Sequence, residues 1–206
     1  MTQTDACKQE VAALLAHISY ETGQLQAKAQ DGCSNPYDVQ TDCNYYSLDG
    51  QQSIIWPPYL GKQYYGRGAL MIQYNYNYGM FSDIAYNGGL YDRMTLVESP
   101  SDVVNDGFLA LASAMWVYMT PLPPMPSMHE IMTGFYVPNS YDEAEGISAD
   151  FGATTNVISA GSECWQSSGA ESDAATSRGE AYDGFASIFN ITATSTSCAT
   201  MNAFSK

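Results

Sequence analysis

Basic residues are scarce in this chain of 206 residues: seven lysines and arginines face 22 aspartates and glutamates, giving a formal net charge of −15. Such a chain repels phosphate backbones and anionic lipid, so the composition disfavours nucleic acids and membranes as partners. Its apolar runs are also too short to span a bilayer. No internal repeat is evident, and the length suits one domain with a sizeable core.

Metal-binding and redox cysteine motifs are missing as well. The five cysteines include no CxxC pair: Cys7, Cys33, Cys43, Cys164 and Cys198. A leader with a basic start and an apolar middle is also absent, which predicts a mature or partial chain. Asn190-Ile191-Thr192 is a glycosylation sequon. Low lysine content, the sequon and scattered cysteines together favour secretion into an oxidising compartment.

An amphipathic helix is predicted before Gly23, which is a stop signal. Four apolar residues at i, i+3, i+4 and i+7 form its stripe: Val11, Leu14, Leu15 and Ile18. Glu21 continues the stripe, and a carboxyl group at the end of a buried face is partly desolvated, which favours its protonated form. The alternative is an ordinary surface glutamate. His17 lies off the stripe and is expected to be a structural histidine with satisfied hydrogen bonds.

The rest of the chain is predicted to be helical with long loops. Residues 29–62 have no sustained period and indicate a long loop. A second helix is expected to open at residues 99–102, with Trp116 in the core. Its packing face is expected to contain Val104, Gly107, Phe108, Leu111, Met115 and Tyr118. Residues 170–189 form a further helical pattern, and the Ser/Thr-rich tail 191–206 is expected to be mobile apart from Cys198.

Aromatic, amide and glycine residues alternate in two segments, Tyr64-Tyr65-Gly66-Arg67-Gly68 and Asn75-Tyr76-Asn77-Tyr78-Gly79. Aromatic rings cover the apolar faces of sugars, amides bond hydroxyl and acetamido groups, and glycines allow close approach of the backbone. This mixture predicts a groove for a neutral sugar polymer.

With Glu21-Thr22-Gly23, these segments resemble the glycoside hydrolase family 19 chitinases, and the likeness extends over about residues 10–189. Trp56-Pro57, Phe151 to Asn156 and Glu163-Cys164 also match the family. The resemblance implies one mainly α, two-lobed, lysozyme-like domain over residues 1–206, with long loops and a central substrate cleft. The family's first helix has no counterpart before Cys7.

The resemblance also implies an activity. Family members cut β-1,4 links between N-acetylglucosamine units of chitin with inversion, and they need no metal or organic cofactor. Inversion requires two carboxyl groups about 6.5–9.5 Å apart, one protonated as general acid and one ionised as general base. Glu21 matches the acid, and counting back from Trp56 indicates Asp42 as base, with Asp38 and Asp49 as nearby alternatives. The alternative for Asp42 is a solvated loop residue. Shorter members carry the base where this chain has Gln30, and an amide cannot accept the proton.

Substrate contacts are expected at six positions: Trp56, Arg67, Gln73, Tyr76, Asn77 and Ser159. Gln73 replaces a serine that usually positions the nucleophilic water, and Ser159 replaces a common asparagine. Trp56 and Tyr76 could equally be core residues. Arg67, Glu163 and Arg178 match a supporting charge network that, in the family, lies beneath the cleft. The alternative is that these three residues only hold the fold.

The resemblance implies a Cys164–Cys198 disulfide, and it leaves the pairing of Cys7, Cys33 and Cys43 open. A secreted endochitinase acting on chitin or N-acetylglucosamine oligomers is therefore predicted. A chitin-binding protein that has lost fast catalysis is one alternative, because the usual base and serine are replaced. A muramidase-like cell-wall hydrolase is another. The oligomeric state is not predicted.

Overall fold

The computed structural model describes residues 3–33, 43, 45–48, 50–89, 95–165 and 170–204. Over these residues the chain is mainly helical, and its β pairing is confined to isolated bridges. The prediction of a mainly helical protein is therefore confirmed. None of the helices in these ranges combines the length and the hydrophobicity needed to cross a membrane.

The described helices are, in chain order, α1 Gln3–Glu21, α2 Gly50–Ile55, α3 Asn75–Asn87, α4 Asp102–Asn105, α5 Gly107–Met119, α6 Met128–Thr133, α7 Ser140–Ala144, α8 Phe151–Ser159 and α9 Asp173–Phe189. The chain divides into two compact units. The first unit contains Met1–Tyr20 and Tyr118–Lys206, and the second contains Glu21–Val117.

The buried face of α1 in the first unit differs from the predicted stripe. Val11 is 45% exposed, whereas three alanines and a histidine are fully buried: Ala12, Ala13, Ala16 and His17. Small side chains let neighbouring elements approach the helix closely, but they add little to a hydrophobic pattern. Of the predicted stripe, Ile18 is buried and Leu14 and Leu15 are half-buried, so the prediction is wrong for Val11 and it missed the small residues of the buried face.

The C-terminal segment is packed, so the prediction of a mobile tail is wrong. Met201 is 2% exposed and joins the core of the first unit. The N–H of Gly152 donates to Ser195 O at 3.1 Å. A Cβ on Gly152 would lie 2.3 Å from Ser197 O, so only glycine allows this approach. The segment stays in place because buried side chains and main-chain hydrogen bonds hold it.

Two disulfides are present. Cys164–Cys198, the C-terminal disulfide, is the pair that the resemblance implied. Cys33 pairs with Cys43, which resolves the pairing that the sequence left open. Cys7 is exposed and free.

The second unit places α5 differently from the sequence prediction. Asp106 Oδ1 accepts the N–H of Phe108 at 2.8 Å, so Asp106 separates α4 from a newly started α5. Phe108, Leu111 and Met115 are 58%, 57% and 48% exposed, whereas Tyr118 is 1% exposed. The predicted packing face is therefore wrong for the first three residues and right for Tyr118. Trp116 is 7% exposed, as expected of a core residue. The helix is apolar on all sides, and a pattern without contrast cannot indicate which side is buried.

Candidate active site

A tight turn after α1 positions Glu21. The carbonyl oxygen of Thr22 accepts the N–H groups of Gln26 and Ala27 at 3.0 and 2.8 Å, and its hydroxyl oxygen accepts the N–H of Leu25 at 2.8 Å. Thr22 is only 3% exposed. The backbone next to Glu21 is therefore held by a buried threonine, while the Glu21 side chain itself is half-buried.

A short paired segment follows the turn. Ala29 forms an antiparallel bridge with Arg67, and the N–H of Gln30 donates to Gly66 O at 2.8 Å. The Gln30 side chain is used in the same contact. Its Oε1 accepts the N–H of Gly66 at 3.3 Å, and its Nε2 donates to the Tyr45 hydroxyl at 3.0 Å. Gln30 therefore anchors this loop to the Tyr-Tyr-Gly-Arg-Gly segment.

Strained backbone lies on both sides of the site. Gln24 and Leu25 have φ values of 63° and 67°, and Met71 and Tyr74 have φ values of 47° and 68°. Side-chain-bearing residues seldom adopt positive φ, and such strain concentrates at functional sites. A Cβ on Gly66 would lie 2.9 Å from Met71 Cβ, so glycine is required there for the segments to meet.

These segments enclose a pocket of about 380 Å³ in the second unit. Two predicted site residues, Glu21 and Gln73, line it together. The complete lining is Glu21, Gly23, Ala27, Ala29, Gln30, Asp31, Met71 and Gln73. Glycine and alanine leave space for a ligand, while the carboxyl and amide groups offer hydrogen bonds to it.

A row of tyrosines belongs to the same unit. The Tyr74 ring stacks on the Tyr76 ring with centroids 5.4 Å apart, and it meets the Tyr45 ring edge-on at 5.6 Å. Burial raises the pKa of Tyr76, and neighbouring Tyr74 adds to that effect. The Tyr76 hydroxyl therefore stays protonated at neutral pH and can donate a hydrogen bond. Tyr76 is half-buried, which is compatible with both of its predicted roles, a substrate contact and a core residue.

Asn77 and Trp56 are each partly buried. Asn77 Nδ2 donates to Gln73 O at 2.9 Å, which links Asn77 to the pocket-lining segment. Within the described part of the chain, the buried Asn77 Oδ1 accepts no hydrogen bond. The carbonyl oxygen of Trp56 accepts Asn75 Nδ2 at 2.6 Å, and the indole packs against Gly79.

Arg67, predicted both to contact substrate and to belong to the charge network, lies inside the second unit. It is 3% exposed. Its guanidinium donates to Gln63 O at 2.8 Å and to the Tyr78 hydroxyl at 3.0 Å, and its carbon lies 3.5 Å from the centre of the Tyr65 ring. A buried arginine with these contacts stabilises the tyrosine-rich segment.

The first unit contains the predicted Glu163–Arg178 pair. Arg178 Nε and NH2 donate to the two carboxylate oxygens of Glu163 at 2.8 and 3.0 Å. The guanidinium carbon also lies 4.1 Å from the centre of the Tyr20 ring, directly before Glu21 in the chain. Arg178 is 2% exposed, and a buried charge requires such partners.

His17 extends this network inside the first unit. Arg178 NH1 lies 3.4 Å from His17 Nδ1, and His17 Nε2 lies 2.8 Å from Thr154 Oγ1. Guanidinium groups only donate, so Nδ1 accepts, and the neutral ring carries its proton on Nε2. Burial, and secondarily Arg178, hold the pKa of His17 well below its usual range. His17 is thus a structural histidine with both ring nitrogens satisfied, as expected.

Three other predicted residues lie away from the pocket lining or outside the described ranges. Ser159 ends α8, where its hydroxyl donates to Thr155 O at 2.7 Å and accepts the N–H of Glu163 at 3.4 Å. Asn190 is exposed just after α9, which suits a glycosylation site. Asp42 lies outside the described residues. Across those residues, no group of three or more His, Cys, Asp or Glu side chains is placed to hold a metal ion.

Asp31 is the pocket residue that sequence reasoning missed. It is exposed and lines the pocket together with Glu21. These two residues are the carboxylates of the lining as far as the chain is described. The sequence signal for Asp31 was its position directly after Gln30, where shorter family members carry the base. Counting residues from Glu21 cannot tell which of two neighbouring loop residues faces the pocket.

Comparison with known proteins connects this chain to a family. The model of the family described as chitinase class I, glycoside hydrolase family 19, matches residues 1–198. Chitinase 1 of Oryza sativa subsp. japonica is 40% identical over 163 residues, which are 76% of this chain and 47% of that protein. The basic endochitinase of Vitis vinifera is 37% identical over 168 residues, covering 78% of this chain and 49% of that protein. The chain thus spans about half the length of the curated relatives it matches.

Solved structures show the same fold. A family 19, class IV chitinase from Zea mays has a TM-score of 0.66 and 23% identity, covering 95% of this chain and 75% of that one. Chitinase C from Streptomyces griseus has a TM-score of 0.69 and 24% identity, covering 96% and 66%. The chain therefore belongs to glycoside hydrolase family 19, and its lysozyme-like fold is confirmed.

Proposed function

We propose that this chain is a secreted glycosidase that hydrolyses β-1,4 links between N-acetylglucosamine units of chitin with inversion. The observation that carries the proposal is the pocket that Glu21 shares with Gln73 and a second carboxylate in a chain of this family. Two disulfides and an exposed sequon support the secretory route.

Glu21 has the role of general acid. It would protonate the glycosidic oxygen as the bond to the anomeric carbon breaks. A carboxylate opposite it would take a proton from the attacking water. The sequence indicates Asp42 for this second role, and the pocket offers Asp31. Gln73 can orient the water through its side-chain carbonyl oxygen.

Sugar binding is assigned to the tyrosine-rich part of the second unit. Tyr76 and Trp56 would stack on sugar faces, and Asn77 would contact the substrate through its amide group. Within the first unit, Glu163 and Arg178 support the helix that ends at Glu21, and Ser159 secures the end of α8.

Hydrolysis of chitin hexasaccharide tests the proposal. We expect Glu21→Gln to lower kcat by about 10²–10⁴-fold, the usual contribution of a general acid, with little change in oligomer binding. Glu98→Gln is the matched control, because Glu98 is exposed in the same unit and absent from the pocket. The first reducing-end sugar released should be the α-anomer. Equal rates for wild type and Glu21→Gln would refute the enzyme proposal.

A binding protein without turnover is the second candidate. Gln30 favours it, since the amide at the position of the usual base is engaged by Tyr45 and Gly66. Oligomer binding without hydrolysis by the wild type would establish this alternative. Cleavage of soluble peptidoglycan without cleavage of chitin would instead establish a muramidase-like hydrolase.

A further inference from the structure

Resting on the proposed glycosidase function, we infer that Asp31 is the general base of this chain. The residue directly after Gln30 thereby supplies the carboxylate that Gln30 lacks. Asp31 is assigned this role because it shares one pocket with Glu21, and the pocket contains the other groups that the reaction needs.

The size of the pocket fits the two roles. The pocket has a volume of about 380 Å³, and inverting glycosidases hold their two carboxyl groups about 6.5–9.5 Å apart. That separation leaves room for a water molecule, which needs about 30 Å³. Gln73 lines the same pocket, and its amide can bind the water that Asp31 activates.

Gln30 determines where Asp31 lies. Its backbone and its side chain both bond Gly66, and its Nε2 reaches Tyr45, so the amide is committed to the scaffold. Because Gln30 is held in place, the backbone of Asp31, the next residue, is held beside the pocket as well. Asp31 is also exposed, which allows its acquired proton to return to bulk water between turnovers.

The chemical step balances without any further reactant. The water oxygen forms a bond to the anomeric carbon while one water proton passes to the Asp31 carboxylate. The bond between that carbon and the glycosidic oxygen breaks, and Glu21 gives its proton to the departing oxygen. The products are an α-configured reducing sugar and a free 4-hydroxyl group. Proton exchange with solvent then restores both carboxyl groups.

The test compares Asp31→Asn with wild type on chitin hexasaccharide. We expect kcat to fall by about 10²–10⁴-fold with KM nearly unchanged, because the amide keeps its shape but cannot accept a proton. The fall in rate on the acidic side of the pH profile should also disappear. Sodium azide should restore turnover of this variant and yield an α-glycosyl azide, since azide attacks without a general base. A residue that only supports the fold would produce neither effect.

Three further variants make the outcomes distinct. Asp83→Asn removes an exposed carboxylate of the same unit outside the pocket and should leave kcat unchanged. Asp31→Glu should retain more activity than Asp31→Asn, and circular dichroism should show that each variant is folded. If Asp31→Asn keeps wild-type kcat, or if Asp42→Asn shows the loss and the azide rescue instead, Asp31 is not the base. An inactive wild type would overturn the proposed function as well.

Discussion

Mild acid should destabilise the fold through His17. This side chain is fully buried in the first unit, and its neutral ring accepts a hydrogen bond from Arg178 while it donates one to Thr154. Thr154 in turn donates to Phe151 O at 2.6 Å, and the Phe151 ring stacks on the imidazole at 4.9 Å. A second proton on the ring would place an N–H donor against a guanidinium that can only donate.

The sign of the effect follows from the direction of the pKa shift. Burial holds the pKa of His17 well below its usual value of 6.5 in the folded protein. Between the two pKa values the unfolded chain binds one proton more than the folded chain, so stability is present above pH 6.5 and is lost as pH falls. For one such group, the free energy of unfolding decreases by about 1.3 kcal/mol from pH 7.0 to pH 5.5.

Urea denaturation followed by circular dichroism measures this loss, with the disulfides kept oxidised. His17→Gln is the comparison, because it removes the buried imidazole and leaves every other side chain unchanged. The variant should be less stable than wild type at pH 7.0. Between pH 7.0 and pH 5.5 its free energy of unfolding should fall by about 1.3 kcal/mol less than that of wild type. The carboxyl group of Glu130 adds little here, since its pKa lies below its usual value of 4.5.

Identical pH dependence in wild type and in the variant would refute this reasoning. It would mean that His17 gains its proton in the folded state as readily as in the unfolded chain. Stability that increases on acidification, relative to the variant, would contradict the assigned tautomer as well.

Two further perturbations test packing and cross-linking. Gly79→Ala should lower the free energy of unfolding by about 1–2 kcal/mol, because its Cβ would lie 2.2 Å from the Trp56 ring. Gly184→Ala, with no neighbouring atom within 4 Å, should instead stabilise the protein by up to about 1 kcal/mol. If Gly79→Ala proved as stable as Gly184→Ala, the packing of Trp56 on Gly79 would be contradicted. Cys198→Ser should cost about 4 kcal/mol in urea denaturation, from a loop closed at a separation of 34 residues. Cys7→Ser is its control and should have no measurable effect.

Several features of the fold followed from local sequence signals. The helix ending at Glu21 was predicted from a repeated apolar pattern and a following glycine, and both signals act over one or two turns. The C-terminal disulfide and the Glu163–Arg178 pair followed from resemblance in short motifs, and the structure contains both.

Burial was less predictable than helix formation. On α1 the alanines are buried although the larger Val11 is exposed, and on α5 the apolar character gave no contrast between faces. The tail after Asn190 reads as polar and weakly structured, yet Met201 is buried. In each case the deciding contacts come from residues distant in the chain, so no local pattern contains them.

The sequence by itself determined the family and the helix that ends at Glu21, because these depend on neighbours in the chain and on short motifs. Only the tertiary structure decided that Arg67 is buried beneath tyrosine rings and that Asp31 shares a pocket with Glu21. Both outcomes depend on how segments 28–30 and 66–68 pair across a long sequence separation. That pairing is a property of the folded chain, and it places the Asp31 carboxylate in the pocket, next to the Gln30 amide that counting forward from Glu21 had indicated.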